Sequence, residues 1–234
     1  MLPGMGRAAL AVTAVVAILV AGPALAHGIG GKDAAFVSGT TGPDIVPYLY
    51  LGAKHMVTGY DHLLFILGVI FFLDRMKDVA IYVTLFSVGH SLTLLAGVLG
   101  QIEVNPYLVD AVIGLSVAYK AFDNLGGFRT LFGVQPDPRT ATFGFGLIHG
   151  FGLATKLQAL ELPPNGLLIN MLSFNVGVEI GQMIALTFML ALIMVWRTVP
   201  GYRRMSVAAN VLLMLAGFVL VGLQLGGLVY GESA

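Results

Sequence analysis

Six predominantly apolar runs, each about 20 residues or longer, follow one another with short connections: 47 to 73, 79 to 100, 107 to 125, 140 to 159, 166 to 196 and 206 to 230. In hydrocarbon no water is present to bond backbone N–H and C=O groups, so a single run of this length crosses a bilayer as a helix. The sequence therefore predicts an all-α fold, a polytopic membrane bundle of six transmembrane helices over residues 46–231. Composition argues against a soluble domain: 57% of residues are hydrophobic, 10% are charged, and the mean hydropathy is +0.90. Twelve basic residues balance 12 acidic ones, so no electrostatic footprint points to nucleic acid. The chain has no cysteine, which excludes thiolate chemistry and leaves histidine, carboxylate and amide groups as ligands.

Residues 1–26 read as a cleaved secretory signal peptide: Arg7 gives a basic start, Ala8 to Val20 an apolar stretch, and Ala24-Leu25-Ala26 a cleavage site. Cleavage would make His27 the N-terminus and place it on the periplasmic side of a bacterial inner membrane. Residues 27–45, with five glycines, read as a flexible external tail. An even number of spans then returns the C-terminus to the periplasm. The loops assigned to the cytoplasm carry Arg75, Lys77, Arg129, Arg139, Arg197, Arg203 and Arg204, whereas the outer loops hold Glu103 and Glu161, as the positive-inside rule requires. Three pairs of glycines four residues apart, Gly146 with Gly150, Gly177 with Gly181 and Gly222 with Gly226, mark surfaces where helix backbones can approach closely.

Ionisable residues at membrane depth are costly and need partners. The first span contains His55, Asp61 and His62 within HMVTGYDHLLF. On a regular helix residues seven apart share a face but stand about 10 Å apart along the axis. That spacing makes His55 an outer way-station and assigns Asp61 and His62 to a midplane site. Gly59 between them is a place where the helix could break. His90 in the second span, His149 in the fourth and Glu179 in the fifth fall at similar depth, with Ser87, Asn175 and Gln182 near them as further ligands or supports. His62, His90, His149, Asp61 and Glu179 together make a nitrogen and oxygen donor set suited to a borderline divalent cation. Lys120 and Asp123, three apart near the inner surface, are expected to pair structurally.

Four blocks in order, HMVTGYDHLLF, FSVGHSLTLL, FGLIHGFGLA and FNVGVEIGQ, resemble the HupE/UreJ family of membrane proteins over roughly residues 46 to 190. The family is associated with hydrogenase and urease accessory functions and regarded as a group of nickel permeases. The resemblance thus implies nickel uptake, with His55, Asp61 and His62 matching the first motif and His149 and Glu179 the later blocks. Met56 stands where typical members have proline, and FGLIHGFG carries a single histidine, which resembles a divergent branch. The expected function is a secondary transporter passing a divalent transition metal, Ni(II) by the resemblance, with His27 and His55 capturing it outside. The alternative is an intramembrane zinc hydrolase, three histidines holding Zn(II) and a carboxylate acting as general base. A third reading, a structural or assembly subunit, would carry the same polar residues as a hydrogen-bonded network without metal.

Overall fold

A computed structural model describes residues 32–73, 75–160, 162 and 164–231. The expected signal peptide, His27 and Glu161 lie outside the described residues. Nine helices are described: α1 (Lys32–Gly39), α2 (Ile45–Thr58), α3 (Tyr60–Ile70), α4 (Met76–Gly100), α5 (Pro106–Asn124), α6 (Gly127–Phe132), α7 (Pro138–Gln158), α8 (Leu167–Arg197) and α9 (Tyr202–Tyr230). Among the described residues there is no strand. Helix starts follow local chemistry. Asn105 accepts a hydrogen bond from the Leu108 N–H at 3.2 Å, and Asp137 accepts from the Thr140 N–H at 3.0 Å. Each is followed by proline at the first helical position, where the missing N–H is harmless. The Thr140 side chain and backbone hold the Asp137 carboxyl below the usual carboxylate range.

Three helices, α4, α8 and α9, are long and apolar enough to cross a membrane, and α3 is a shorter apolar helix. Their outward faces carry Val88, Leu92, Met183, Phe188, Phe218 and Leu223 among other exposed large apolar side chains. The chain is a multi-pass membrane protein, and these faces are apolar because lipid rather than water surrounds them. The other long helices owe their greater polarity to residues turned into the bundle or held in ion pairs. Lys156 of α7 pairs with Asp110 of α5 at 2.9 Å, and Lys120 pairs with Asp123 at 2.6 Å.

The helices associate chiefly in pairs, α2 with α8, α4 with α7 and α5 with α9. Small residues bring the first two pairs to backbone contact. A methyl group on Gly177 would overlap the Leu49 carbonyl and stand 3.0 Å from the Ala53 nitrogen, and one on Gly150 would overlap the His90 carbonyl. Gly146 and Gly181 meet neighbouring backbone in the same way, whereas Gly222 and Gly226, expected to do likewise, have nothing within 4 Å. Contact order gives the directions. Leu49, Ala53 and Met56 meet Gly177 and Gly181 in rising order, and Phe86 and His90 meet Gly146 and Gly150, so both pairs run parallel. Tyr107, Gly114 and Ala118 meet Gly227, Leu220 and Gly217, so α5 and α9 run antiparallel.

Residues 32–39, expected within an irregular tail, form α1 instead and dock on the bundle. Val37 is fully buried, Ser38 Oγ donates to the Leu160 carbonyl at 2.9 Å, and the Lys54 ammonium of α2 pairs with Asp33. At the opposite end of α8, Arg197 donates to the Phe71 and Leu73 carbonyls, each at 3.0 Å, and ties the end of α3 to that of α8.

Candidate functional site

The first apolar run is not one helix. It breaks at Gly59, whose φ of −72° and ψ of 92° are extended rather than helical. The break follows from competition for backbone donors. The His62 N–H, which a continuous helix would give to Thr58, is taken by Asp61 Oδ1 at 2.9 Å. Glycine suits the position, since a Cβ there would come 2.9 Å from the His55 carbonyl oxygen and 3.2 Å from His62 Nδ1.

The break overturns the two-level reading of the motif. The His55 and His62 ring centroids lie 5.2 Å apart, where a regular helix would separate the two residues by about 10 Å along its axis. His55, in the last turn of α2, therefore joins the inner cluster instead of forming an outer station. His62 is the hub: its ring centroid is 4.8 Å from that of His149 on α7, 5.5 Å from that of His90 on α4, and in contact with His55. His62, His90 and His149 are each 3% exposed or less.

Thr93 Oγ1 donates to the Leu147 carbonyl at 2.6 Å, three residues from His90 on one helix and two from His149 on the other, and Gly150 lets the two backbones touch there. These contacts set the distance between the two imidazoles. Phe65, Phe86 and Phe174 wall the cluster: Phe86 and Phe65 stand 5.1 and 5.4 Å from the His149 ring, and Phe174 stands 6.1 Å from His55. All three phenylalanines are buried, so the walls are apolar and water is excluded on these sides.

Asp61 supports its own neighbour. Its Oδ1 accepts from His62 Nδ1 at 2.8 Å as well as from the His62 N–H. A carboxylate only accepts, so the proton sits on Nδ1 and the Nε2 lone pair of His62 faces the cluster. That atom has no hydrogen-bond partner, and neither do Nε2 of His55, both ring nitrogens of His90, or Nδ1 of His149. Buried polar atoms are nearly always satisfied. Orphaned imidazole nitrogens on four neighbouring rings are a donor set of the chemistry that borderline cations take. The set is gathered but not closed: among the described residues, no group of three or more His, Asp or Glu side chains is arranged to hold a metal ion as it stands.

The remaining expected residues divide. Ser87 and Gln182 are buried but close on each other, Ser87 Oγ donating to Gln182 Oε1 at 2.8 Å, which ties α4 to α8 one turn below His90. Asn175 is buried beside Phe174 with both amide atoms unpartnered. Glu179 is not brought to the cluster; it is exposed on α8. The physical reason is angular. The buried stripe of α8 centres near Val178, and Glu179 stands about 100° round from it, just past the edge. Ser116 of α5, which had no signal beyond its depth in the third span, is fully buried with Oγ 3.0 Å from His149 Nε2.

The family described as HupE / UreJ protein matches residues 31–231. The chain belongs to this family. The HupE / UreJ match takes in all four clustered histidines, Asp61 and the helix break, so the site lies within the family's shared region and not in an appended segment. No curated protein and no solved structure matches the chain.

Proposed function

We propose that this protein carries a divalent transition-metal ion, nickel foremost, across the bacterial inner membrane by way of the imidazole cluster. The observation that carries the reading is the convergence of His55, His62, His90 and His149 from four helices, with unpartnered ring nitrogens, at a break in a membrane helix. Discontinuous helices near the midplane are where transporters place their ion sites. Six crossings agree with the pairing directions, which carry no information on sidedness: two parallel pairs whose members are four and two spans apart, and one antiparallel pair three spans apart. The open donor set suits transport, since a cation drawing the rings inward is held by ligands free to relax again, and conduction requires release. Protons compete for the same nitrogens, which couples release to pH on the receiving side.

The hydrolase alternative would use a carboxylate free to act as base beside the imidazoles. Asp61 is instead engaged twice by His62, and Glu179 points out of the bundle. These positions favour transport.

The test is accumulation. In nickel-limited cells expressing the protein, cell-associated nickel should rise several-fold over cells with empty vector, and excess cobalt should compete. Equal accumulation at verified membrane expression would overturn the proposal.

The break itself makes a prediction. In Gly59→Val the added Cβ would stand 2.9 Å from the His55 carbonyl oxygen and 3.2 Å from His62 Nδ1. Overpacking of this kind costs about 1–3 kcal/mol, and here it falls on the clustered arrangement. Nickel affinity of the purified protein, measured by titration calorimetry, should drop about 5- to 150-fold.

A further inference from the structure

Two of the clustered imidazoles are hydrogen-bonded on one side only, and the partners differ in kind. Asp61 can only accept, which decides the tautomer of His62 at once. The partner of His149 is a hydroxyl, which can donate or accept, so the decision lies one bond further away. Ser116 Oγ stands 2.6 Å from the Ile113 carbonyl oxygen and 3.0 Å from His149 Nε2. It has a single proton. A carbonyl oxygen can only accept, so the bond at 2.6 Å takes that proton.

We propose that Ser116 is a positioning residue that fixes the tautomer of His149, holding the proton on Nε2 and presenting the Nδ1 lone pair to the cluster. The opposite arrangement, with Ser116 donating to Nε2, would put the proton on Nδ1. That atom is buried and without an acceptor, and an orphaned buried N–H is rarer and costlier than an unshared lone pair. Ser116 is fully buried, so water does not reach it to supply another partner. Neighbouring rings then offer opposite nitrogens, Nε2 from His62 and Nδ1 from His149, across a centroid separation of 4.8 Å. The use of this device in metal capture rests on the transport reading above, but the tautomer does not.

The test uses the metal-free full chain in detergent micelles with 15N-labelled histidine. Ring nitrogen shifts distinguish the two tautomers, and the His149 signals are identified by their loss in His149→Gln. The wild type should show His149 protonated on Nε2; finding Nδ1–H there overturns the proposal whatever the variants do. Ser116→Ala should release the tautomer into a mixture and weaken nickel binding about 10- to 100-fold, the range for loss of a residue that orients a ligand. Ser116→Thr retains the hydroxyl and should keep both the tautomer and the affinity, which a purely packing role would not favour. A Ser116→Ala protein that keeps Nε2–H and binds nickel within twofold of the wild type overturns the assignment. A wild type with the expected tautomer that binds no nickel overturns the transport reading and leaves Ser116 as the residue that sets His149.

Discussion

His62→Ala is expected to bring nickel accumulation down to that of cells lacking the protein. His62 is the ring that His55, His90 and His149 all contact. Removing it deletes one donor and also the surface on which the other three meet. The substitution further strips the Asp61 carboxylate of its charge-assisted partner, and such bonds contribute about 1.5–3 kcal/mol. Membrane abundance must therefore be measured alongside uptake. His55→Ala supplies the contrast: His55 is half-buried and its ring packs against His62 and Phe174, so accumulation should fall and remain measurable. Equal residual uptake in the two variants at matched abundance would contradict the hub role of His62.

Asp61→Asn is expected to weaken nickel binding about 10- to 100-fold, as loss of an orienting carboxylate does elsewhere. The asparagine side chain has nearly the same shape, so packing around the break should persist and the melting temperature should shift little. What changes is the charge on the acceptor. The amide oxygen, in the place of Asp61 Oδ1, can keep both bonds from His62, but as a neutral and weaker acceptor it holds the Nδ1 proton less firmly and lends the Nε2 lone pair less basicity. Titration calorimetry of the variant reads this directly, and an affinity unchanged from wild type would show that the Asp61 charge does not support His62 as a ligand.

Much of this site is legible in the sequence because membrane depth makes polar residues conspicuous. His62, His90 and His149 stand out in apolar runs, and their convergence follows from the cost of leaving them in lipid. The register of the first motif is less legible. Seven-residue spacing implies separation only while the helix is continuous, and the break depends on Asp61 Oδ1 capturing the His62 N–H, a contest between near-equal hydrogen bonds. Glu179 shows a different limit. Helical periodicity puts it within about 60° of Gln182, yet the edge of the buried stripe falls between them because α8 packs mainly on α2 and only lightly on α4. Where a helix meets its second neighbour is a property of the assembled bundle. Helix α1 is hidden for a similar reason: in KDAAFVSG, Val37 is a lone large aliphatic side chain, and its burial comes from docking rather than periodicity. Ser116 looks like any serine bonding back to its own helix, and it does so; its second contact appears only when α7 is beside it.

If these imidazoles bind the ion together, X-ray absorption at the nickel edge will show it on purified protein loaded with one equivalent of Ni(II). The expected spectrum has a first shell of nitrogen and oxygen scatterers with the outer-shell pattern of at least three imidazole rings, and that pattern is lost in His62→Ala. A spectrum matching the hydrated ion, or an oxygen shell without imidazole features, would contradict joint binding.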